Sequence, residues 1–398
     1  MLSADTKAAI AASHAELTAI RRDIHAHPEM GMEEVRTAAL VAEKLREWGI
    51  EVTEAIGRTG VVGVVRGKLP GQRSIGLRAD MDALAIPEQT GLDYASTNPG
   101  VMHACGHDGH TTMLLGAAKY LAEHRDFAGT VNLIFQPAEE GRGGAQAMLD
   151  DKLFDRFPCD AVYGMHNRPG MAVGQFGIRK GAMMAAGGTW KTVFRGTGGH
   201  GGATPHLASD VTVAMAQYIM AIQTVVSRSV SPHETAVVSV GSVHGGSALS
   251  SNVMPAEMEI TGTMRCFSKA TQEVITRRME ALAASVAAGA GCQAEVSLDW
   301  FARVLVNHDE NTDVAAAAAQ AVGSGAVDTA LTPTTGGEDF AFMLEERPGA
   351  FIFIGNGVNA DGTAHAVHTP LFNFNDDIIP TGVEYWVSLV GQELNLAG

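Results

Sequence analysis

The order of apolar segments and helical stretches constrains the fold of this 398-residue chain more than any other feature. Apolar segments at 61–65, 74–77, 131–135 and 161–165 are each bounded by glycine, proline or charged residues, and a helical stretch at 110–124 lies between two of them. Because strands alternate with helices, we predict an α/β architecture whose largely parallel sheet is covered by helices.

From about residue 187 the pattern changes to the order β-α-β-β-α-β, which is that of a ferredoxin-like unit. The predicted elements are strands at 189–195, 235–243, 257–267 and 292–300 and helices at 209–228 and 269–288. An α/β pattern then returns, with helices at 312–322 and 381–394 around a strand at 350–355. We therefore predict a discontinuous catalytic domain of residues 1–186 and 301–398 and an inserted domain of residues 187–300, with the chemistry at their junction.

Composition argues against several classes of partner. The chain has 44 acidic and 28 basic residues and a formal net charge of -16, which repels phosphate backbones and predicts no nucleic-acid partner. The four cysteines show no short repeating spacing, which argues against a disulfide framework or a paired-cysteine zinc finger. The amino terminus lacks a signal-peptide pattern and no apolar stretch reaches the ~20 residues that span a bilayer, so we expect no membrane partner and a cytoplasmic location.

The strongest local motif is the segment 102–110, MHACGHDGH. It places three histidines, a cysteine and an aspartate in a glycine-containing loop ahead of a helix. Cys105 and His107 are two residues apart, so both could address one metal ion. The alternative is a capping loop with incidental histidines, which three imidazoles beside one thiol make the weaker interpretation.

A pair of adjacent glutamates follows an apolar strand in the segment 135–141, FQPAEEG. Open α/β sheets build their sites at this edge. Because side chains alternate along an extended segment, one of Glu139 and Glu140 can bind a cation while the other acts as a general base. A solvated acidic turn is the alternative.

Two further histidines complete a candidate metal centre. His166 ends an apolar strand, and His368 lies near the carboxyl terminus. With Cys105, His107 and a glutamate they make five ligand-type groups from four strand-end loops, which suits two ions that share one bridging ligand. Imidazole and thiolate favour zinc, cobalt, nickel or manganese over calcium.

The segment 78–82, RADMD, closes another predicted strand. Asp80 or Asp82 would accept an imidazole N–H and so fix the tautomer of a metal-binding histidine. A salt bridge between Arg78 and one of these carboxylates is an equally good interpretation.

Candidate substrate contacts lie in the inserted domain. The glycine-rich segment 198–206, GGHGGATPH, suits a mobile element in which His200 or His206 donates a hydrogen bond to a developing oxyanion. Asn252 could supply another donor, and Arg265 could bind a substrate carboxylate bidentately. A surface ion pair is the alternative for Arg265.

Taken together, these motifs resemble the co-catalytic metallopeptidase-like amidohydrolases, a family that includes hippurate hydrolase, aminoacylases and plant hydrolases of indole-acetyl-amino-acid conjugates. The resemblance covers nearly the whole chain, through the blocks RDIHAHPE (22–29), LRADMDAL (77–84), ACGHDGHT (104–111), QPAEEG (136–141), GGEDF (336–340) and HTPLF (368–372). It implies a zinc-peptidase-like catalytic domain, an inserted lid that also serves dimerisation, and a homodimer or tetramer.

The resemblance also implies a reaction, which is hydrolysis of the amide bond of an N-acyl-amino acid to a carboxylic acid and an amino acid. Glu139 would be the catalytic base, and His200 would reach the site of a partner subunit. Two divalent ions would be bound, zinc or manganese before cobalt or nickel. The implied ligands are Cys105 as the bridge, His107 and His166 on one ion, and Glu140 and His368 on the other.

Three departures from the family pattern are visible. Arg78 stands where many relatives in the wider superfamily carry a histidine, as in the subgroup whose cysteine replaces that ligand. The segment 198–206 and the loop before Asn252 are both longer than the commonest family form, which suggests an unusual acyl or amine preference.

Two other functions compete with this one. A metallo-dipeptidase or aminopeptidase would need an acidic anchor for the substrate ammonium group, for which Glu338 and Asp339 are the candidates. A metal-dependent binding protein without catalysis would be expected to lack Glu139 or a ligand, and none is missing.

Overall fold

The structure is a computed structural model that describes residues 2–323, 327–358 and 362–396, and the chain divides into two units. The first unit comprises Met1–Gly181, Val306–Thr332 and Glu338–Gly398. The second comprises Ala182–Leu305 and Pro333–Gly337.

Strands and helices follow one another through both units. The strands are β1 Glu51–Ile56, β2 Gly60–Arg66, β3 Leu69–Asp80, β4 Ala128–Gln136, β5 Ala161–Pro169, β6 Phe176–Gly177, β7 Gly181–Met184, β8 Ala186–Arg195, β9 Gly199–His200, β10 Ala236–Gly245, β11 Val253–Met254, β12 Glu257–Cys266, β13 Gln293–Ala302, β14 Leu305–Asn307, β15 Val327–Asp328 and β16 Gly349–Gly357. The helices are α1 Ala4–Ala12, α2 His14–Ala26, α3 Val35–Glu47, α4 His107–Glu123, α5 Gly144–Asp150, α6 Leu153–Arg156, α7 Val211–Thr224, α8 Lys269–Gly289, α9 Asp309–Val322, α10 Phe340–Glu346 and α11 Ile379–Leu394. Short 3₁₀ turns occupy Pro205–Leu207 and Asp376–Ile378, and a π-helical turn occupies Val225–Ser229.

Local sequence explains where several helices begin and end. The Ser268 hydroxyl accepts the Thr271 N–H ahead of α8, and the Asp210 carboxylate accepts the Thr212 N–H at the start of α7. Helix α9 ends at Gly323, whose φ of 72° is the left-handed conformation that glycine adopts freely. These groups satisfy backbone atoms that a helix end leaves unpaired.

The first unit is built on an eight-stranded sheet in the order β1-β2-β4-β3-β5-β16-β6-β15. Strands β4, β3, β5 and β16 run parallel, and helices α4 and α11 pack against β3 while α5 and α10 pack against β4 and β5. The predicted α/β architecture is therefore confirmed. Strand β1, which pairs antiparallel with β2, was not predicted because its sequence, EVTEAI, is that of a largely exposed edge strand without an apolar segment.

The second unit has the predicted order β8, α7, β10, β12, α8, β13. Its antiparallel sheet runs β10-β12-β8-β13, and both helices cover one face, where Trp190, Phe194, Ile260 and Met264 are buried. A two-stranded ribbon of β9 and β11 stands apart from this sheet. Over the residues described, neither unit contains a helix with the length and apolarity that crossing a bilayer requires.

Candidate metal centre

The carboxyl ends of parallel strands in the first unit bring the candidate ligands to one edge of the sheet. Strand β3 ends at Asp80, β4 ends three residues before Glu139, and His166 lies in β5. Helix α4 begins at His107, two residues after Cys105. Ligands bind at this edge in open α/β sheets because the connecting loops converge there.

Gly106 makes the turn between Cys105 and His107 possible. Its φ is 102°, and a Cβ atom at this position would lie 2.3 Å from the Asn167 Oδ1. A residue with a side chain would therefore meet both backbone strain and a collision. The glycine lets the thiol and the imidazole turn toward the same point.

Two groups of side chains share Cys105. The ligand atoms of Cys105, His107 and His166 lie within 4.8 Å of one another, and so do those of Cys105, Glu140 and His368. The Cys105 Sγ lies 3.3 Å from the His166 Nε2, and the His368 Nε2 lies 3.0 Å from the Glu140 Oε1. The structure thus brings together the five residues that the sequence singled out.

Hydrogen bonds orient the imidazoles of His107 and His166 for metal binding. The His107 Nδ1 donates to the Asp82 carboxylate over 3.1 Å, and the His166 Nδ1 donates to the Asn167 carbonyl oxygen over 2.6 Å. Each ring therefore presents its Nε2 toward the cluster, where a bound cation would displace a proton and take the lone pair. The His107 Nε2 is buried without a hydrogen-bond partner, which a cation would provide. The thiol, imidazole and carboxylate donors fit a pair of transition-metal ions.

Protonation in this cluster is linked to metal binding. Burial and the nearby carboxylates raise the pKa of the Cys105 thiol well above its usual value. Burial lowers the pKa of His107, but Asp80 and Asp82 outweigh it and raise this pKa to about 10. A bound cation reverses this balance, because it favours thiolate and neutral imidazole, and its binding releases protons.

The carboxylates of Asp80 and Asp82 have different partners. Asp82 bonds the His107 ring through Oδ1 and accepts the Glu140 backbone N–H through Oδ2 over 3.0 Å. It therefore contacts one candidate ligand from each group. Asp80 instead accepts a hydrogen bond of 2.7 Å from Arg78, which is the salt bridge considered above.

Sequence reasoning missed His110 and Asn167. The His110 Nδ1 lies 2.6 Å from the Asp80 Oδ1, and the Asn167 backbone N–H donates to the His110 Nε2 over 3.0 Å. The available signal was the spacing of His107 and His110, since residues three apart share a helix face.

Glu139 belongs to a second carboxylate group beside the centre. Its carboxylate oxygen lies within 4.8 Å of those of Glu338 and Asp339. Burial and then the negative charges of Glu338 and Glu140 raise the pKa of Glu139 well above its usual value. The buried Arg78 donates to Glu338 and Asp339 over 2.9 and 3.4 Å and offsets part of this charge. A carboxyl group with a raised pKa is suited to accept a proton and return it.

In the second unit, His200 and Asn252 lie close together. His200, in β9, is paired with Val253 of β11, and the Asn252 carbonyl accepts the Gly201 N–H over 2.8 Å. The His200 Nδ1 accepts backbone N–H groups, which leaves its Nε2 as the donor. His206 is exposed, in the 3₁₀ turn.

Arg265 lies on β12 of the second unit and already bonds to backbone. Its Nε donates to the Thr335 carbonyl over 3.2 Å, and its Nη1 donates to the Met264 carbonyl over 2.8 Å. These are neutral acceptors, and among the described residues no ion pair of Arg265 is found. Its Nη1 also donates to the Gly188 carbonyl over 3.5 Å, so a carboxylate would approach through Nη2.

The chain is similar to known proteins over most of its length. A model of peptidase family M20/M25/M40 matches residues 76–392. The chain is 41% identical over 375 residues to a hippurate hydrolase of Campylobacter jejuni, covering 94% of this chain and 95% of that protein. It is 40% identical over 365 residues to an N-acetyl-L-cysteine deacetylase of Bacillus subtilis, covering 92% and 85%. The crystal structure of a dinuclear metal-binding peptidase of Bacillus subtilis superposes with a TM-score of 0.84 at 33% identity, covering 97% and 100%.

Proposed function

This chain belongs to peptidase family M20/M25/M40, and we propose that it is a metal-dependent amidohydrolase that cleaves the amide bond of N-acyl-amino acids. The products are a carboxylic acid and a free amino acid. One observation carries this proposal: the two candidate ligand groups that share Cys105 lie beside Glu139, whose carboxylate is within 4.8 Å of the ligand atoms of His107 and Glu140. The names of the two enzyme relatives, a hippurate hydrolase and an N-acetyl-L-cysteine deacetylase, support the substrate class.

The metal ligands are assigned as follows in this proposal. Cys105, His107 and His166 would hold one ion, and Cys105, Glu140 and His368 would hold the other. When bound, two divalent ions supply Lewis-acid polarisation of the scissile carbonyl and a lower pKa for the attacking water. Thiolate and imidazole ligands favour zinc, the carboxylate ligand also suits manganese, and cobalt and nickel are alternatives.

Glu139 acts as the general base and acid. It accepts the proton of the attacking water and delivers it to the leaving nitrogen, which prevents expulsion of an amide anion. Asp82 holds His107 in the tautomer that leaves its Nε2 lone pair free.

The second unit supplies substrate contacts. The His200 Nε2–H reaches the site of a partner subunit and stabilises the developing oxyanion there. His206 and Asn252 contact the substrate, and Arg265 binds its carboxylate. The domain of residues 187–300 serves as lid and dimerisation domain, and the assembly is a homodimer or tetramer. The unpaired Cys105, Cys159, Cys266 and Cys292 suit a reducing cytoplasm.

A peptidase acting on dipeptides or at the amino terminus of small peptides is the second candidate, because the family and the superposed Bacillus protein are both described as peptidases. Such an enzyme recognises a free substrate amine, whereas an amidohydrolase requires that nitrogen to be acylated.

A substrate panel distinguishes the two. The metal-depleted protein, refilled separately with Zn²⁺, Mn²⁺, Co²⁺ or Ni²⁺, is assayed on acetyl, benzoyl, lauroyl and indole-acetyl amino acids and on dipeptides with a free amine. We expect turnover of the acylated amino acids and its loss on chelation. Turnover of free dipeptides alone would replace our proposal by the peptidase, and turnover that survives complete metal removal would contradict both.

A further inference from the structure

Arg21 is a fully buried charge that the proposed mechanism does not use. It lies on α2, and its side chain is 0% exposed. Burying a guanidinium is costly unless it is paired and hydrogen-bonded, so its partners indicate what the charge does.

Most of the Arg21 hydrogen bonds go to the segment 373–376. Its Nε donates to the Asp376 Oδ1 over 2.7 Å, and its Nη2 donates to the Asn373 Oδ1 over 2.9 Å and to the Phe374 carbonyl over 2.7 Å. The remaining Nη1 lies 3.7 Å from the Asp108 carboxylate. The planar guanidinium thus donates hydrogen bonds to three residues of one segment.

This segment continues the loop that carries His368. The His368 backbone has φ of 64°, a left-handed conformation that is unfavourable for a residue with a side chain. Such conformations persist when the surrounding structure holds them. Here the His368 N–H donates to the Ala104 carbonyl over 2.7 Å, and the Gln89 N–H donates to the Pro370 carbonyl over 2.8 Å. Further along the chain the buried Phe372, hydrogen bonds with Asn356 and the Arg21 guanidinium attach the segment.

The ligands of the other ion do not lie on this loop. His107 is the first residue of α4, Cys105 precedes it by two residues, and His166 lies in β5. His107 and Cys105 are also buried, whereas the His368 side chain is 50% exposed. A loosened loop would therefore displace His368 and leave the first group in place.

We propose that Arg21 is a positioning residue for the second metal ion, because it anchors 373–376 and so holds the strained His368 backbone with its imidazole facing Glu140. This inference rests on the proposed metal centre. It predicts that a change at Arg21 weakens one of two bound ions selectively, which a general loss of stability would not do.

The test is a titration of metal-free protein with Zn²⁺ in competition with a chelator, which resolves two binding steps. Arg21→Lys keeps a positive charge in the core but loses the planar fork. We expect its second step to weaken on the order of 10- to 100-fold, the range for residues that orient a ligand, with the first step unchanged. Asn373→Ala removes a single acceptor from the loop side and should act in the same direction, more weakly.

Two controls make the result specific. Arg22 also bonds Asp376, over 2.9 Å, but its side chain is half-exposed. The Arg22→Lys variant should therefore bind both ions with the affinities of the wild-type protein. In a His368→Ala background, which retains the first ion, Arg21→Lys should have no further effect on affinity.

The outcomes separate the inference from the proposed function. Equal weakening of both steps by Arg21→Lys, or no weakening by either Arg21→Lys or Asn373→Ala, would overturn the positioning role. If the wild-type protein bound fewer than two ions, the proposed two-metal centre would be wrong, and so would this inference.

Discussion

Replacing Glu139 with glutamine tests the assignment of the base and the electrostatics of the site together. The substitution keeps the shape of the side chain and removes its ability to accept a proton. General-base catalysis contributes about 10²- to 10⁴-fold to a rate, so we expect kcat for an N-acyl-amino acid to fall by that factor. Because Glu139 is not one of the five assigned ligands, two metal equivalents should remain bound.

The same substitution should stabilise the metal-free protein. The carboxylate oxygens of Glu139, Glu338 and Asp339 lie within 4.8 Å of one another. Two negative charges at that distance repel by roughly 3–4 kcal/mol at an effective dielectric constant of about 20. Partial exposure of Glu139 and the Arg78 charge reduce this, and we expect a gain of about 1–2 kcal/mol at neutral pH. The sign follows from linkage: a carboxyl whose pKa is raised by folding destabilises the folded protein once pH exceeds the unfolded value near 4.5.

The assays are kcat with saturating metal, metal content by elemental analysis, and thermal unfolding of the metal-free protein. Glu43→Gln makes the same chemical change at an exposed position of α3 and serves as the matched control. Retained turnover would remove Glu139 as the base. Loss of a metal equivalent would make it a ligand instead, since Glu139 also forms a group with His107 and Glu140 whose ligand atoms lie within 4.8 Å.

Three further results are expected. Arg265→Ala should raise KM for carboxylate-bearing substrates far more than for the corresponding amides, and equal increases would dismiss the carboxylate contact. Burial alone would raise the pKa of Glu88, but the hydrogen bonds that it accepts lower this pKa to about 2. The loss of stability caused by Glu88→Gln should therefore be complete above about pH 5 and shrink toward pH 2. If the urea unfolding midpoints of the wild-type and Glu88→Gln proteins differed equally at pH 7 and pH 3, this expectation would be contradicted. Gly262→Ala would place a Cβ atom 1.9 Å from the Ser239 carbonyl oxygen, so we expect it to lower the free energy of unfolding by about 1–3 kcal/mol or more. At Gly289 an added Cβ atom would meet no neighbouring atom within 4 Å. Thermal unfolding should therefore show Gly289→Ala to be neutral or stabilising.

Much of the fold and of the candidate site could be predicted because the features are local. The apolar segments of β3, β4 and β5 are contiguous in sequence, and the motifs at their ends place ligand-type residues next to them. The β-α-β-β-α-β order was readable for the same reason, since period-2 and period-3.6 patterns are properties of single segments. Strand β1 was missed because an exposed edge strand carries neither pattern strongly.

The roles of Asp80 and Asp82 could not be separated from the motif. The two residues are neighbours in sequence, and side-chain direction at the end of a strand depends on the loop that follows. Packing of α4 places His107 against Asp82 and His110 against Asp80. The sequence motif alone does not indicate which aspartate contacts which histidine.

The sequence by itself determined which donor groups this protein has and that they occur where strands end. Only the tertiary structure decided that His368 lies in the same cluster as Cys105, which precedes it by more than 200 residues. The tertiary structure also decided that Arg21 hydrogen-bonds the loop that carries His368, and that hydrogen bonds orient the Nε2 atoms of His107 and His166 toward one point. The physical reason is that donor identity is a property of single residues. Metal-site geometry is a property of distances between segments far apart in the chain, which are set when the core packs.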